Sequence, residues 1–292
     1  MIKLSVILVN HNARQLTLDC LASIADKTRT PHEVILVDNF SADGSVEAVR
    51  RRYPDTVIIA NPANHGFARG NNQGMEIARG EFIILLNNDT VLKNDALDRM
   101  VGFLEAQPRA GALACKLFDA DGVTVQKNCR SFPTPLGTMF GRASLLTRFF
   151  PNNRWSSRNL LTDWDYNSPR PVDWVSGAAL MVRRAVVEQV GMLDDKTYYM
   201  YWEDTDWCKR IRDAGWEVYF TPAGEIVHFT GQGAGRRSLR LRVAMIYHLH
   251  RSAYNYFLKH DYKNPWHPLA LLVYAGMWLL IAAKTLRALA PL

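Results

Sequence analysis

Amide and acidic side chains follow three apolar runs in the first third of this 292-residue chain. The three clusters are Asn10-His11-Asn12, Asp38-Asn39 and Asn87-Asn88-Asp89. Each comes directly after a run of Val, Ile or Leu that predicts a buried strand. Mg²⁺ and Mn²⁺ favour oxygen ligands, and one strand-end carboxylate can suffice when substrate phosphates and waters complete the shell. Asp89 is therefore the best metal candidate here, and the alternative is an ordinary turn capped by Asn and Asp.

A second group of carboxylates lies in the stretch YYMYWEDTDW, where Glu203, Asp204 and Asp206 open a predicted helix. The helix dipole favours acids at this position, so simple charge decoration is the alternative interpretation. That alternative does not account for the Trp and Tyr residues that precede the acids. Aromatic rings beside carboxylates are typical of sugar sites, because the rings stack on apolar sugar faces while the acids bind hydroxyls.

Two residues and one stretch each have a chemical and a structural interpretation, and the pattern leaves both open. Asp38 can accept a hydrogen bond from the imide N–H of a pyrimidine base, or it can cap a turn. The stretch GFARGNNQG offers backbone N–H groups and a helix start at Asn71 that suit an anion, with Arg69 adding charge, or it is a helix-capping loop. His228 ends a short strand and is either a ligand or a structural histidine.

Missing motifs argue against several function classes. The chain has no GxxxxGK[ST] phosphate loop, no GxGxxG dinucleotide spacing, no GxSxG elbow and no HExxH helix. A nucleotidyltransferase would need a glycine-rich loop with Arg and Lys after the first strand, which VNHNARQL does not supply. The four cysteines form no CxxC pair, which argues against a zinc site or a disulfide scaffold and fits a reducing compartment.

Alternating strands and helices must position these side chains. Apolar runs predict strands at Leu4–Val9, Glu33–Val37, Thr56–Ala60, Phe82–Leu86 and Ala112–Leu117. Helical patterns lie between them at Gln15–Ala25, Ser45–Arg52, Asn71–Arg79 and Ala96–Ala106. This alternation predicts a parallel sheet covered on both faces, with ligands bound beyond the carboxyl ends of the strands. Residues 118–171 show no sustained period and are expected to be rich in loops, before a helix over Glu203–Ala214 and a strand over Glu217–Phe220.

The basic charge of the chain is concentrated at its end. Nine of the 35 Lys and Arg residues, but only one of the 28 acids, lie from Ile226 onward. Residues Arg236–Lys259 predict a basic amphipathic helix, and Leu269–Ala283 is a run of 15 residues without charge. A bilayer span needs roughly 20 residues. We therefore expect an interfacial or re-entrant helix on an anionic membrane, and a core helix is the alternative. The N-terminus predicts a first strand and no signal peptide.

Seven stretches, taken in order, resemble glycosyltransferase family 2 of the GT-A fold and are most similar to its rhamnosyltransferase-type branch. They are SVILVNHN, VILVDNFSADGS, NHGFARGNNQG, FIILLNNDT, VSGAALMVRR, YYMYWEDTDWCKRIRDAGW and VHFTGQG. The resemblance implies an α/β fold with a Rossmann-like mixed sheet, flanking helices and C-terminal helices. It implies a transferase domain over residues 1–235, divided into a nucleotide-sugar half (1–117) and an acceptor half (118–235). A membrane-associating helical tail follows over residues 236–292.

The resemblance also implies roles for individual residues. Asp204 would be the general base, supported by Glu203. The implied donor-binding residues are Asn10, Asn12, Asp38, Arg69, Asn72, Asn87 and Asp89. The implied metal ligands, for Mg²⁺ or Mn²⁺, are Asp89 and His228. The implied acceptor-binding residues are Trp202, Ser176 and Gly177.

One residue departs from the family pattern. Asn87 takes the place of the first acid of the DxD motif, and a neutral amide is a weaker metal ligand.

The implied activity is the inverting transfer of a sugar, with L-rhamnose from dTDP-L-rhamnose as the first choice of donor. The acceptor would be a hydroxyl of a glycan or of a polyprenyl-lipid-linked molecule in bacterial surface polysaccharide synthesis. The alternatives are a UDP-sugar donor (galactose, galactofuranose or N-acetylhexosamine) and a non-catalytic binding module. The expected location is the cytoplasmic face of the plasma membrane, and no nucleic-acid partner is expected.

Overall fold

The computed structural model of the protein describes residues 1–134, 161, 164–230 and 239–289. Within them a mixed sheet carries helices on both faces, and two more helices follow it. The strands are β1 (Leu4–Asn10), β2 (His32–Asp38), β3 (Val57–Ala60), β4 (Phe82–Asn87), β5 (Thr90–Leu92), β6 (Ala110–Phe118), β7 (Val125–Gln126), β8 (Cys129–Arg130), β9 (Arg170–Val172), β10 (Trp174–Val175), β11 (Ala179–Arg183) and β12 (Glu217–His228). The helices are α1 (Arg14–Lys27), α2 (Ser45–Arg52), α3 (Gly66–Ile77), α4 (Ala96–Ala106), α5 (Arg184–Val190), α6 (Glu203–Asp213), α7 (Leu239–Phe257), continued by a π-helical segment (Leu258–Tyr262), and α8 (Pro268–Leu289).

The strand order places the three polar clusters at one edge of the sheet. The order is β3-β2-β1-β4-β11-β6-β12-β5, and the first four strands are parallel. Asn10 is the register partner of Asp38, and Val9 is the register partner of Asn87. The carboxyl ends of β1, β2 and β4 therefore lie side by side, as the sequence predicts.

The mixed sheet implied by the family resemblance is confirmed, and the five strands predicted within the first 117 residues, now β1, β2, β3, β4 and β6, all run in one direction. β11 lies between β4 and β6 and runs antiparallel to both. Its first residue, Ala179, pairs with Leu86 near the end of β4, so the chain enters β11 from the edge that carries the polar clusters. The strand–helix alternation stops near residue 118, so periodicity gives no signal for the direction of the later strands.

Two apolar layers hold the sheet between the helices. Consecutive residues of β4 alternate between the layers, since Ile84 packs with α1, α2 and α4 while Ile83 and Leu85 pack with α3, α5 and α6. A strand that is buried on both faces has to be apolar at every position. This is the physical reason for the unbroken run that precedes Asn87.

The C-terminal helix pair (α7 and α8, residues 239–289) packs through α7 on the segment that leads into α6. Tyr256 and Phe257 are buried against Tyr198 and Trp202, whereas α8 contacts α7 through Met277 and Ile281, which pack on Tyr254. Along α8, Leu272 is 69% exposed and Leu279 is 72% exposed. A core helix would bury these side chains, so α8 is not the core helix of the alternative interpretation. Its length and composition suffice to cross a bilayer, with a mean hydropathy of 1.9 over residues 268–287.

Candidate active site

The strand-end cluster (Asn10, Asp38, Asn87, Asn88 and Asp89) is built around the amide of Asn10. The Asn10 side chain is fully buried, and its Nδ2 donates to Oδ1 of Asp38 at 2.7 Å. Its Oδ1 accepts hydrogen bonds from Oγ1 of Thr17 at 3.0 Å and from Nδ2 of Asn88 at 2.8 Å. Asn88 lies in a turn, as predicted, but its side chain also links the turn to β1. Asn10 therefore orients the Asp38 carboxylate and the turn before Asp89.

The loops that follow β1 and β2 are joined by hydrogen bonds around Asp38. Oδ2 of Asp38 accepts from the backbone N–H of Ser41 at 2.9 Å, and Oγ of Ser41 accepts from the N–H of Asn12 at 2.9 Å. Asn12 adopts a positive φ of 53°, and its Oδ1 accepts from the N–H of Ala42 at 2.7 Å. The structure thus brings Asn10, Asn12 and Asp38 together at one point on the sheet edge.

Helix α3 begins at Gly66, five residues before the predicted start at Asn71. Gly66 has a φ of +85°, and a Cβ placed on it would lie 2.6 Å from the carbonyl oxygen of Tyr199. The N–H of Phe67 donates to that same carbonyl at 3.0 Å. Nδ2 of Asn39 donates to the carbonyl of Gly66 at 2.9 Å. Because only glycine tolerates both the backbone angle and the close approach, the α3 start packs directly on the segment before α6.

The two predicted donor-binding residues of α3 are engaged with the loop before α6. Nη1 of Arg69 donates to Oε1 of Glu76 at 2.8 Å and to Oδ2 of Asp195 at 3.4 Å, and hydrogen bonding to Glu76 raises the pKa of Arg69. Nδ2 of Asn72 donates to the carbonyl of Leu193 at 2.8 Å, and its Oδ1 accepts from the N–H of Leu193 at 3.1 Å. Asn72 is 3% exposed, so its amide fixes α3 to this loop and does not reach the sheet edge.

The candidate cation site (Asn87, Asp89 and His228) forms where β12 ends beside β5. Oδ1 of Asp89 and Nε2 of His228 are 3.2 Å apart, and Nδ2 of Asn87 is 3.3 Å from the same ring nitrogen. The N–H of Phe229 donates to the carbonyl of Asp89 at 2.8 Å, which holds the two strand ends together. The structure therefore joins the predicted ligands Asp89 and His228, although they are distant in sequence.

These side chains fit a divalent cation. Two neighbouring ligands of an octahedral ion at about 2.1 Å lie about 3.0 Å apart, close to the Asp89–His228 separation. Rotating the Asn87 amide exchanges its oxygen and nitrogen, so a neutral oxygen is available as a third ligand. Among residues 1–134, 164–230 and 239–289, no group of three His, Cys, Asp or Glu side chains forms a metal site. A cation held here would need substrate phosphates or water to complete its shell.

The carboxylate of Asp204 is held by backbone N–H groups at the start of α6. Its Oδ2 accepts from the N–H of Gly177 at 3.0 Å, and its Oδ1 accepts from the N–H of Thr205 at 2.7 Å. Burial raises the pKa of Asp204, and the hydrogen bonds from Gly177 and Thr205 oppose that effect. A carboxylate with a raised pKa and a fixed orientation is suited to accept a proton from an alcohol.

Glu203 has a different environment from its neighbour. Its Oε2 is buried and, among the described residues, has no hydrogen-bond partner. Burial, together with the charge of Asp204, raises the pKa of Glu203 well above its usual range. The two residues before it, Tyr201 and Trp202, both have positive φ values, of 68° and 71°. Two consecutive non-glycine residues in this region are strained, and such strain is commonly found at functional sites.

The segment Ser176–Ala178 connects the two parts of the site. The N–H of Asn87 donates to the carbonyl of Ala178 at 2.9 Å, while the preceding residue, Gly177, donates to Asp204. Ser176 and Gly177, predicted acceptor-binding residues, thus lie between the strand-end cluster and α6. The Trp202 ring packs on the C-terminal helix pair, with centroids 5.3 Å from Tyr256 and 5.7 Å from Phe257.

The sequence around the strand-end cluster matches a known family. The profile of Glycosyl transferase family 2 matches residues 5–188. The chain belongs to glycosyltransferase family 2. It is 34% identical over 227 residues to an N-acetylglucosaminyl-diphospho-decaprenol L-rhamnosyltransferase of Mycobacterium tuberculosis, covering 74% of this chain and 72% of the relative. It is 23% identical over 215 residues to rhamnosyltransferase WbbL of Escherichia coli, covering 66% and 77%.

Solved structures of other glycosyltransferases share the fold. A mannosyltransferase from Pyrobaculum calidifontis, in complex with GDP-Man and Mn²⁺, has a TM-score of 0.59 and 21% identity over 99% of this chain and 76% of its own. GalNAc-T7, with UDP, GalNAc and Mn²⁺, has a TM-score of 0.60 and 14% identity over 90% of this chain and 49% of its own. The family 2 chain is thus a nucleotide-sugar glycosyltransferase with the GT-A fold.

Sequence reasoning missed one residue of the site. Gln126, on the short strand β7, bonds to the ring of His228 and lies within the region expected to be rich in loops. No motif or period marks this position, because the two-residue strand carries no pattern of its own. Only the pairing of β7 with β6 brings Gln126 beside the candidate cation site.

Proposed function

We propose that this glycosyltransferase moves L-rhamnose from dTDP-L-rhamnose to a hydroxyl of a glycan on a polyprenyl lipid, with inversion at the anomeric carbon. The observation that carries the proposal is the partly buried Asp204 carboxylate, held by Gly177 and Thr205 next to the strand-end cluster. The choice of sugar and acceptor is supported by the M. tuberculosis relative, whose name specifies an L-rhamnosyltransferase and N-acetylglucosaminyl-diphospho-decaprenol.

Asp204 acts as the general base in this proposal. An alcohol is a weak nucleophile until its proton departs, and Asp204 accepts that proton as the oxygen attacks from the face opposite the nucleotide. A single displacement of this kind inverts the anomeric centre and needs one ionised carboxylate. Glu203 supports this role in its neutral form, since burial raises its pKa and leaves Asp204 as the charged member of the pair.

The nucleotide lies on the strand-end cluster. Asp38 accepts from the imide N–H of the base, with Asn10 and Asn12 fixing the two loops that surround it. Thymine and uracil share this imide, so Asp38 does not distinguish dTDP from UDP. Arg69 is 43% exposed at the side chain and lies on the first turns of α3, where its charge favours the diphosphate. Asn72 acts indirectly by fixing α3 to Leu193.

A divalent cation, Mg²⁺ or Mn²⁺, would be held by Asp89 and His228, with Asn87 as a weaker neutral ligand. When bound, it neutralises the charge that develops on the departing nucleotide diphosphate. The chain's own residues orient the site, because Asn88 and Phe229 fix the backbone of the turn that carries Asp89. On the acceptor side, Trp202 stacks on a sugar while Ser176 and Gly177 shape the space before Asp204.

The acceptor is reached from the inner face of the plasma membrane. The exposed face of α8 carries large apolar side chains, among them Leu269, Leu272, Leu279 and Leu280, and Trp266 is exposed just before the helix begins. Basic residues accompany them, including Arg242, Arg251, Lys284 and Arg287, and Asp261 is the only acid after residue 225. An anionic bilayer complements this combination.

A donor panel tests the proposed reaction. Thermal shifts and turnover should be measured with dTDP-L-rhamnose, UDP-galactose, UDP-galactofuranose and UDP-N-acetylhexosamines, with and without Mn²⁺. We expect dTDP-L-rhamnose to give the largest shift and the fastest transfer to a lipid-linked acceptor. A clear preference for a UDP-sugar would overturn the rhamnosyl assignment. Donor binding without hydrolysis or transfer by any sugar would favour the non-catalytic binding module.

Liposome flotation tests the membrane role. The full chain should float with anionic vesicles, and replacing Leu272 and Leu279 by Gln should release it into the soluble fraction. Both side chains are more than two-thirds exposed, so the variant should fold normally. Undiminished flotation of that variant would remove α8 from the membrane contact.

A further inference from the structure

Gln126 makes three contacts with the end of β12, and they fix how its amide is oriented. Its Nε2 lies 3.0 Å from the carbonyl oxygen of His228 and 3.1 Å from Oγ1 of Thr230. Its Oε1 lies 3.0 Å from Nδ1 of His228. A backbone carbonyl can only accept hydrogen bonds, so the amide nitrogen has to face it. The amide oxygen therefore has to face the imidazole ring.

This orientation determines the tautomer of His228. An amide oxygen can only accept, so Nδ1 of His228 carries the proton that it donates to Gln126. Oγ1 of Thr230, 3.3 Å from Nδ1, is placed to accept from the same N–H. In the neutral ring, the other nitrogen, Nε2, then has no hydrogen and presents a lone pair.

The lone pair of Nε2 points at the candidate cation site. Nε2 lies 3.2 Å from Oδ1 of Asp89 and 3.3 Å from Nδ2 of Asn87. In the metal-free protein, Nδ2 of Asn87 is placed to donate to this lone pair, which favours an unprotonated Nε2. A divalent ion between Nε2 and Asp89 would satisfy both the lone pair and the carboxylate.

We propose that Gln126 is a positioning residue that holds His228 in the Nδ1–H tautomer and so presents Nε2 to the cation beside Asp89. This inference rests on the proposed cation role of Asp89 and His228. Gln126 is rigidly placed for the task, since β7 pairs with β6 and Leu117 is its register partner. Partners of this kind behind a metal-binding histidine typically change metal affinity about 10- to 100-fold when removed.

Two substitutions separate positioning from a merely structural contact. Gln126→Glu keeps an oxygen facing Nδ1, while Gln126→Met keeps the size but removes both polar atoms. Gln189→Met is the matched control, because Gln189 bonds to Nε1 of Trp216 at 2.7 Å at an exposed position, outside the site. All variants should be made in the full-length chain.

The first measurement needs no metal. Long-range ¹H–¹⁵N spectra of the metal-free protein, with His228→Gln for assignment, report which ring nitrogen carries the proton. We expect the Nδ1–H tautomer in the wild type, in Gln126→Glu and in Gln189→Met, and a shift toward Nε2–H in Gln126→Met. An Nε2–H tautomer in the wild type would overturn the proposal, even if the variants do not fold.

The second measurement is an Mn²⁺ titration followed by electron paramagnetic resonance in the presence of dTDP. We expect Gln126→Met to bind Mn²⁺ about 10- to 100-fold more weakly, and Gln126→Glu to remain within a few-fold of the wild type. If Asp89→Ala abolishes Mn²⁺ binding but Gln126→Met keeps wild-type affinity, the role of Gln126 is refuted and the cation site is not. Wild-type affinity in Asp89→Ala would instead refute the proposed cation site.

Discussion

Oδ2 of Asp204 accepts a hydrogen bond from the backbone N–H of Gly177 at 3.0 Å, and this contact joins the start of α6 to the centre of the sheet. The residue after Gly177 is Ala178, whose carbonyl accepts from the N–H of Asn87 at the end of β4. A path of backbone atoms therefore links the proposed base to the candidate cation site. The spacing between the two is set by sheet geometry and not by flexible side chains.

Replacing Asp204 by Asn should stop transfer without stopping donor binding. The amide keeps the size of the side chain but cannot accept the acceptor's proton, so turnover should fall about 10²- to 10⁴-fold. Steady-state kinetics and calorimetric binding of the donor measure the two effects separately. Asp213→Asn, at the exposed end of α6, is the control and should keep wild-type turnover. Near-normal turnover in Asp204→Asn would remove Asp204 from the base role.

The rate of transfer should rise with pH on the acid side. Protonated Asp204 cannot act as a base, and burial raises its pKa above the ordinary value of 3.8. The ascending limb of kcat/KM against pH should therefore have its midpoint above that of an exposed aspartate. The same limb should be missing from the residual activity of Asp204→Asn. If the limb persists unchanged in that variant, another group is responsible for it.

Metal dependence should separate two residues of the strand-end cluster. Asp89→Ala removes the charged ligand and should abolish the effect of Mn²⁺ on donor binding. Asn87→Asp restores an acid and should strengthen Mn²⁺ binding, because a carboxylate is a better ligand than an amide. Titration of Mn²⁺ with the donor present tests both variants. Equal responses of the two variants would contradict this division of roles.

Asp206 should fix the C-terminal helix pair to α6, and its loss should destabilise the protein. The carboxylate is fully buried, and it accepts from Nζ of Lys259 at 2.8 Å, from Nε2 of His260 at 2.8 Å and from Nε of Arg210 at 2.9 Å. Asp206→Asn leaves Lys259 and Arg210 without their anionic partner, which should cost about 3–5 kcal/mol in the free energy of unfolding. Lys209→Gln, which breaks an exposed pair with Asp213, should cost less than about 1 kcal/mol. Chemical denaturation measures both, and equal losses would contradict the prediction.

Acid should weaken the same attachment. Burial alone would raise the pKa of Asp206, but hydrogen bonds from His260 and Lys259 and the charge of Arg210 lower it to about 2. Since the folded pKa is depressed, the stabilisation is present above about pH 4 and disappears as the pH falls toward 2. This contribution is about 2 kcal/mol. Between pH 5 and 2, the denaturant concentration at the midpoint of unfolding should fall more steeply for the wild type than for Asp206→Asn. Parallel curves would show that Asp206 is not the group responsible.

Gly66 should be intolerant of even one added methyl group. In Gly66→Ala, the positive φ and the approach of the new Cβ to within 2.6 Å of Tyr199 both oppose folding of the α3 start. Gly191→Ala is a matched control, since Gly191 has a φ of +78° with no atom within 4 Å of the added Cβ. Only the first variant should lose donor affinity in addition to about 1 kcal/mol of stability. Similar donor affinity in both variants would contradict this prediction.

The sequence predicts the strand-end cluster well, because a buried strand and its polar end are both local signals. The register of β1, β2 and β4 then follows from their parallel pairing, and it places Asn10 beside Asp38. Local sequence patterns do not predict the direction of β11, because that direction depends on where the chain re-enters the sheet. They also do not predict the role of Gln126, which depends on pairing between separate strands. The early start of α3 was missed because Gly66 adopts its backbone angle through contact with Tyr199, which no local pattern encodes.

The packing of α7 on Tyr198 and Trp202 has a consequence for the design of shortened forms of this enzyme. Truncation near residue 235 would strip the cover from Tyr198 and Trp202 and leave Asp206 without Lys259 and His260. A shortened protein of this kind would lose more than the proposed membrane contact, and its inactivity would say nothing about lipid. Replacing the exposed apolar side chains of α8 by polar ones, while keeping α7 intact, tests the proposed membrane contact without this damage.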